Sequence, residues 1–224
     1  MFTCCGERLS VGFGVTSRSI TTSMLFSLDI VRWSNFRSDS IFDEIAVGKD
    51  IAVVCSDDCT GISQGTGGRT IQASAFNFPG AIGNGIAMTV GYLNACGINL
   101  PHTHPRATEI NFSVDGDFDV GFLQENGVSF VSNKVKRGTA AIFPQGAIHF
   151  EQNLNCVPAT FVAAFNSEDP GVLTIANQFF GGLPATVVGA SLGGLNISTI
   201  QDIRMTVAKN PSVGIAECRK RCGL

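Results

Sequence analysis

The chain has 224 residues, and 44% of them are apolar, which is enough for a sizeable core in one domain with extensions or in two small domains. The net charge is −3 and the sequence contains no basic block, which argues against a nucleic-acid partner. No apolar run approaches the roughly 18 residues of a membrane-spanning helix, so the composition also argues against a membrane partner.

The first 65 residues show no regular pattern, and we expect an N-terminal arm of uncertain structure over residues 1–65. Charged residues such as Glu7 and Arg8 interrupt the apolar ones near the start, so no clear signal peptide is visible. One strand is predicted at 51–55, and the Gly/Ser-rich stretch 61–68 is predicted to be a linker.

From residue 69 onward, short runs rich in Val, Ile, Phe and Thr alternate with turn signals. Asp115-Gly116 and Asn126-Gly127 are typical of β-hairpins. The predicted strands cover residues 70–76, 86–94, 109–114, 118–124, 128–135, 139–143, 147–152 and 160–166, with a further strand through His102 and His104. Strands of this length and spacing predict an all-β fold, either an antiparallel sandwich or a barrel. We expect this domain, together with the helices that follow it, to occupy residues 66–210.

All three histidines of the chain lie in this predicted barrel. His102 and His104 are two residues apart, so on a strand both side chains project from one face. Glu109 opens the next apolar run, which we expect to be a neighbouring strand, and His149 follows the tight turn 144–146 on a third strand. Three imidazoles and one carboxylate can bind one six-coordinate metal ion and leave open positions for chemistry. We therefore predict a metal site formed by these four residues.

The strand that begins at Glu109 also predicts an exposed apolar face. Ile110, Phe112 and Val114 have the opposite parity to Glu109, so they point outward if Glu109 points into the barrel. An apolar surface of this kind needs a cover, from the helical tail or from another subunit.

The character of the sequence changes at residues 167–170, where two acidic residues and a proline mark a helix start. The predicted helices cover residues 172–180, 184–192, 197–208 and 211–222. The last one belongs to a C-terminal segment, residues 211–224, in which Cys218 and Cys222 are four residues apart and therefore on one helix face.

The chain has eight cysteines, a number that favours an oxidising compartment. Cys96 precedes the first histidine stretch and Cys156 follows the second, so both are expected at one end of the barrel, which favours a disulfide between them. Cys218 and Cys222 can bridge each other only if the helix end is distorted. Connectivity cannot be deduced from spacing, and buried free thiols are the alternative.

The two histidine stretches resemble the motifs of a known family, the germin-type cupins. The first motif is similar to Gly97…His102-Thr103-His104…Glu109…Gly116, with one residue fewer between the first glycine and the first histidine, and the second resembles Gly138…Pro144-x-Gly146-x-x-His149…Asn153 in full. Residues 164–172 and the C-terminal Cys-x-x-x-Cys helix are similar to the spherulin branch of fungi and slime moulds. The resemblance covers about residues 69–222.

This resemblance implies a cupin jelly-roll β-barrel with a C-terminal helical tail and a metal ion inside. It implies that the ion is manganese, bound by His102, His104, Glu109 and His149. The donor set alone leaves iron and other divalent transition metals open, since imidazole suits several of them. The resemblance also implies a secreted, extracellular homo-oligomer.

One function implied by the resemblance is a metal-dependent oxidoreductase acting on a small carboxylate such as oxalate, or on an oxygen species such as superoxide. Oxalate-oxidising germins place two asparagines near the metal. Asn99 matches one of them and is our candidate substrate contact, whereas Thr89 stands at the position of the other, with Asn94 as a substitute at the end of that strand.

Two alternative functions remain open at the level of sequence. One is a non-catalytic secreted wall, spore or storage cupin that keeps the metal for structure. The other is a cupin enzyme of secondary metabolism, whose aromatic substrate would contact the phenylalanines of the barrel, Phe143, Phe150, Phe161 and Phe165.

Overall fold

The computed structural model of the chain describes residues 61–224. The chain divides into two compact units, Met1–Cys59 and Thr60–Leu224, and all of the described residues belong to the second. The strand predicted at 51–55 lies outside the described residues.

Residues 61–224 contain twelve strands in two antiparallel sheets. The strands are β1 Ile62–Gly65, β2 Gly68–Ala73, β3 Ala87–Leu93, β4 Gly97–Thr103, β5 Glu109–Asp115, β6 Phe118–Leu123, β7 Val131–Val135, β8 Ala140–Phe143, β9 Ile148–Asn153, β10 Ala159–Phe165, β11 Leu173–Thr174 and β12 Ser212–Val213. One sheet has the order β1-β2-β3-β10-β5-β8, and the other has the order β11-β4-β9-β6-β7, with β12 also pairing with β4. The two sheets form the jelly-roll β-barrel that the sequence predicted.

Alternation of buried and exposed side chains explains why these segments form strands. Along β5 and β10 every second residue is buried, so each strand has one face toward the barrel interior. The core between the sheets contains four buried phenylalanines, and the rings of two of them, Phe118 and Phe161, meet edge to face at 5.7 Å. The outward parity predicted for β5 is confirmed, since Ile110 and Phe112 are exposed.

The turn at Asp115-Gly116 does not close a hairpin, and that prediction was wrong. β5 pairs with β10 and β8, whereas β6 pairs with β9 and β7, so the turn carries the chain from one sheet to the other. Gly116 has a φ of +83°, which permits the tight reversal. A two-residue signal thus specifies the reversal but not the strand that becomes the partner. The Asn126-Gly127 turn does join the paired strands β6 and β7.

The stretch 61–68, predicted to be a linker, instead forms a hairpin in which Gly65 is opposite Gly68. Its backbone is packed closely against the C-terminal segment. A Cβ atom at Gly67 would lie 1.6 Å from the carbonyl oxygen of Ser212, and one at Gly65 would lie 2.1 Å from that of Pro211. The glycines therefore serve close backbone approach as well as flexibility.

Four helices follow the barrel: α1 Ile175–Gly182, α2 Ala185–Ser191, α3 Ile197–Thr206 and α4 Ala216–Cys222. Two predicted helix starts were placed too early. Residues 173–174 form β11 and residues 212–213 form β12, because both segments hydrogen-bond to an edge of β4 before their helices begin. None of the helices in residues 61–224 is long and apolar enough to cross a membrane.

The predicted disulfide between Cys96 and Cys156 was wrong, and Cys218 and Cys222 do not bridge each other. Cys96 is bonded to Cys218, with 5.8 Å between the Cα atoms, and Cys156 is bonded to Cys222, with 5.2 Å between them. The expectation that Cys96 and Cys156 share one end of the barrel holds, since the Cys96 amide donates to the carbonyl of Asn155. One turn of α4 presents two sulfurs on the same face, and each reaches a different loop at that end.

Candidate metal centre

The three histidines and Glu109 come together inside the barrel from three strands. His102 lies on β4, opposite His149 on β9, and His104 follows directly after the end of β4. Glu109 is the first residue of β5, which belongs to the other sheet. We predicted that Glu109 lies on a strand next to that of His102 and His104. That prediction was wrong, because Glu109 faces the imidazoles from the opposite sheet of the barrel.

The four side chains form a compact, buried group. Each residue is at most 6% exposed. The imidazole centroids are 4.2 Å apart for His102 and His149, 5.0 Å for His102 and His104, and 5.4 Å for His104 and His149. One carboxylate oxygen of Glu109, Oε2, lies 3.1 Å from Nε2 of both His104 and His149. The prediction that distant residues converge on one point is met by this geometry.

Backbone carbonyls orient all three imidazoles. The Nδ1 atom of His102 is 2.8 Å from the carbonyl oxygen of Leu100, that of His104 is 2.5 Å from Gly171, and that of His149 is 3.0 Å from Ala147. A carbonyl can only accept, so each Nδ1 carries a proton and donates it. A neutral imidazole then has a free lone pair on Nε2, which is the arrangement of a metal-binding histidine.

The donor set fits a single transition-metal ion. One ligand atom from each of the four residues lies within 4.8 Å of all the others. Two donors bound at right angles, each about 2.1 Å from one cation, are about 3 Å apart, which agrees with the spacing around Oε2 of Glu109. The buried group could therefore hold a metal ion with three nitrogen ligands and one oxygen ligand.

The electrostatics of the group also suit a cation. Burial and the neighbouring imidazoles lower the pKa of His102 to about 3. Burial also opposes charge on His149 and Glu109, but the hydrogen bonds of Glu109 to His104 and His149 and the surrounding charges prevail. They raise the pKa of His149 to about 9 and hold the pKa of Glu109 well below its usual range. The carboxylate thus stays ionised beside an imidazolium, and a bound cation would take the place of that proton.

A second buried carboxyl group lies behind the ligands. Glu151 is fully buried on β9, and it accepts hydrogen bonds from Nδ2 of Asn99 at 2.8 Å and from Nδ2 of Asn111 at 3.3 Å. Asn111 also donates to Oε1 of Glu109 at 3.0 Å. Burial and the charge of Glu109 raise the pKa of Glu151 to about 8, whereas a bound cation would act in the opposite direction.

A cavity of about 230 Å³ adjoins three of the four residues, His102, His104 and Glu109. Uncharged polar side chains line much of it, among them Gln72, Thr89, Asn99 and Asn210. No lysine or arginine is among the described residues that line it. A carboxylate in this cavity would therefore have amides and hydroxyls as hydrogen-bond partners, and a bound cation would be its source of positive charge.

Some of the candidate substrate contacts named from the sequence line the cavity, and others do not. Asn99 and Thr89 line the cavity, but Asn94 is exposed and donates to the carbonyl of Thr66, so it does not replace the missing asparagine. Among the phenylalanines, Phe161 and Phe165 line the cavity. Phe143 instead stacks on His149 at 4.4 Å, and Phe150 stacks on Phe130 at 6.3 Å.

Sequence reasoning missed several polar residues of the cavity wall, among them Gln72 and Asn210. Gln72 lies on β2, opposite Thr89 of β3, so its inward parity could have been read from the strand pattern. Asn210 comes from the segment between α3 and α4, 106 positions beyond His104 by their numbers in the sequence, and no local signal marks it.

The comparisons with known proteins agree with the fold and with this site. A family model described as cupin matches residues 57–194, more than half of the sequence, and the chain belongs to this family. The predicted cupin resemblance is thereby confirmed.

The chain is similar to two spherulins of Physarum polycephalum, as the sequence predicted. Spherulin-1A is 58% identical over 163 residues and Spherulin-1B is 54% identical over 164 residues. Each match covers 73% of this chain and 66% of the relative, so the chain spans slightly less than two thirds of the length of these relatives. Nectarin-1 of Nicotiana plumbaginifolia is 36% identical over 144 residues, covering 63% of this chain and 62% of the relative.

Among solved structures, an oxalate oxidase matches with a TM-score of 0.60 and 28% identity, covering 64% of this chain and 74% of that chain. An oxalate oxidase in complex with the substrate analogue glycolate gives the same values. The 11S globulin procruciferin of Brassica napus has a TM-score of 0.59 at 16% identity, over 66% of this chain and 39% of its own, which shows a shared fold alone.

Proposed function

We propose that the chain is a germin-like cupin that binds manganese through His102, His104, Glu109 and His149 and oxidises a small carboxylate such as oxalate. The observation that carries this proposal is the buried group of three Nε2 atoms and one carboxylate beside a small cavity with amide and hydroxyl groups in its wall and no basic side chain among the described residues that line it. Manganese over iron rests on the germin resemblance, because the donor set also suits iron.

The cavity residues suit the binding of a small acid. A bound manganese ion would supply a Lewis acid that polarises a carboxylate oxygen. Asn99 carries two amide hydrogens, and one of them is directed at Glu151, so the second can donate to a ligand in the cavity. Oxidation of oxalate breaks its C–C bond and yields two molecules of carbon dioxide and two electrons. Dioxygen takes up these electrons with two protons and becomes hydrogen peroxide.

Replacing Asn99 with alanine is expected to lower kcat/KM for oxalate by about ten-fold or more, because a hydrogen bond to a charged ligand is lost. The measurement is release of peroxide and carbon dioxide from protein purified without chelators, with manganese quantified in the same samples. Asn94→Ala is the matched control, since the side chain of Asn94 is exposed and outside the cavity. We expect this control to keep wild-type rates and manganese content, and the rates of Asn99→Ala are compared per bound manganese.

The same assay separates the two main functions. If wild-type protein contains the metal but forms no peroxide from oxalate and consumes no superoxide, the oxidoreductase proposal is wrong. The chain would then be a non-catalytic cupin of the wall, spore or storage type, in which the metal is structural. The small cavity volume gives no support to a large aromatic substrate, because pockets for drug-sized ligands begin at about 300 Å³.

We also propose that the protein is a homo-oligomer that buries the outer face of β5 and β8. Ile110 lies opposite Ile142 on this face and Phe112 lies opposite Ala140, and the three large apolar side chains are exposed. A contiguous apolar patch on an otherwise polar surface is typical of an interface between subunits.

The variant Phe112→Lys is expected to weaken self-association by at least about ten-fold, because a charged group would be desolvated at the centre of the patch. Sedimentation velocity over a concentration series measures this change. Val128→Lys is the control, since Val128 is 42% exposed and Phe112 is 43% exposed, but Val128 lies in the loop between β6 and β7. A wild-type protein that stays monomeric at all concentrations would contradict the proposal.

The two disulfides support an extracellular location. Disulfide bonds persist in oxidising compartments and are rare in the cytosol. Mass mapping of intact disulfides in protein isolated from its natural source, together with detection of that protein outside the cell, tests this assignment.

A further inference from the structure

The segment between α3 and α4 is fastened to the barrel beside the metal cavity. The Gly67 amide donates to the carbonyl of Pro211 at 3.0 Å, and Ser63 Oγ donates to the carbonyl of Asn210 at 2.9 Å. Next along the chain, β12 pairs with the start of β4. The side chain of Asn177 also donates to the carbonyl of Ala208 at 2.9 Å. The segment is therefore fixed at several points, and Asn210 lies among them.

Asn210 fills a gap along one edge of β4. On this edge β12 pairs with Gly97 and Ile98, and β11 pairs with His102 and Thr103. The residues between them have no strand partner on that side. The backbone amide of Leu100 donates to Oδ1 of Asn210 at 2.7 Å, so the carboxamide supplies the acceptor that a strand would otherwise provide.

This contact fixes the direction of a chain of side-chain hydrogen bonds. An amide N–H can only donate, so Oδ1 of Asn210 must face Leu100 and its Nδ2 must face inward. That Nδ2 donates to Oδ1 of Asn99 at 2.6 Å, which leaves Nδ2 of Asn99 to donate to Glu151. The orientation of the Asn99 carboxamide at the cavity wall is thus set from the segment between α3 and α4.

The chain of hydrogen bonds continues to a proposed metal ligand. Glu151 accepts from Asn111, and Asn111 donates to Oε1 of Glu109. Four hydrogen bonds therefore connect Asn210 to the carboxylate of Glu109, and the four residues Asn99, Glu151, Asn111 and Glu109 are at most 7% exposed. Buried polar networks in which each donor meets an acceptor restrict their members to one arrangement.

We propose that Asn210 is a positioning residue of the metal centre and that the segment between α3 and α4 contributes to the wall of the cavity. Asn210 orients Asn99 toward the ligand and, through Glu151 and Asn111, holds the carboxylate of Glu109 in place. This inference rests on the proposed function, because it assigns Glu109 to a bound metal ion.

Two variants test the inference. Asn210→Ala removes both carboxamide hydrogen bonds, whereas Asn210→Asp keeps an acceptor for Leu100 and loses the donor to Asn99. Loss of partners that orient metal ligands lowers metal affinity by about 10–100-fold, and we expect Asn210→Ala and Asn210→Asp to fall in this range. Competition with a chelator of known manganese affinity measures it, and electron paramagnetic resonance of the manganese-loaded protein reports the altered ligand geometry.

Asn177→Ala is the control, because it removes another hydrogen bond to the same segment from a residue that does not line the cavity. It should keep the wild-type manganese affinity and spectrum. If folded Asn210→Asp has both properties unchanged, the positioning role is wrong while the proposed function stands. If wild-type protein binds neither manganese nor any other divalent transition metal, the positioning role and the proposed function are both wrong. Circular dichroism identifies a variant that has not folded. If Asn210→Ala does not fold, Asn210→Asp still tests the inference, because it keeps the acceptor for the Leu100 amide.

Discussion

Replacement of His149 by alanine is expected to abolish binding of the proposed metal ion and to leave the protein folded. His149 contributes one of three imidazoles, and its Nε2 lies 3.1 Å from the carboxylate of Glu109. Removal of a partner that only orients a ligand costs about 10–100-fold in affinity, so removal of the ligand itself should cost more than about 100-fold. Metal analysis by mass spectrometry and titration in a metal buffer measure the loss.

A change in stability accompanies the change in metal content. A ligand that binds only the native state at about 1,000 times its Kd stabilises that state by about 4 kcal/mol. A chelator should therefore lower the Tm of the wild type and leave the Tm of His149→Ala nearly unchanged. Phe150→Leu serves as the control, because Phe150 is on the same strand but stacks on Phe130. If His149→Ala retains one equivalent of metal with wild-type affinity, the proposed ligand set is wrong.

The double variant Cys218→Ser with Cys222→Ser is expected to be markedly less stable than the wild type. The two disulfides close loops of 122 and 66 residues by sequence separation, and they connect α4 to two loops at one end of the barrel. Loss of a native disulfide costs about 2–5 kcal/mol, because the unfolded chain gains conformational freedom. For a chain of this size we expect the Tm to fall by about 4–20 °C for each bond.

Thermal unfolding with and without a reductant measures this effect. Reduction should shift the wild type by a similar amount, and peptide mapping under non-reducing conditions should recover the pairs Cys96–Cys218 and Cys156–Cys222. Equal Tm values for the wild type and the double variant would show that the bonds do not stabilise the fold. Limited proteolysis should also cleave the C-terminal segment sooner in the double variant, because α4 is no longer covalently attached.

Local sequence patterns specified most of the strands and the inward-facing residues. Alternation placed β3, β5, β6 and β10 within two residues of their observed ends. It also placed Glu109 and the outward-facing Phe112 on opposite faces of β5, because successive side chains of a strand point to opposite sides. The spacing of His102 and His104 placed both rings in the interior for the same reason.

The pairing of strands could not be predicted, because it depends on contacts between distant residues. The Asp115-Gly116 turn encodes a reversal of the chain, yet β5 and β6 belong to different sheets. The four-residue spacing of Cys218 and Cys222 predicted one helix face, but their partners depend on where α4 meets the barrel. The same holds for Asn210, whose local sequence says nothing about Leu100 or Asn99.

The sequence by itself determined which side chains point inward and that three histidines and one glutamate lie in those positions. Only the tertiary structure decided that Glu109 faces the imidazoles from the opposite sheet, that α4 is bonded to both loops, and that the segment between α3 and α4 completes the cavity wall. The physical reason is that periodicity within a strand fixes the direction of each side chain through local backbone geometry. The distance between two strands depends instead on packing of the whole barrel.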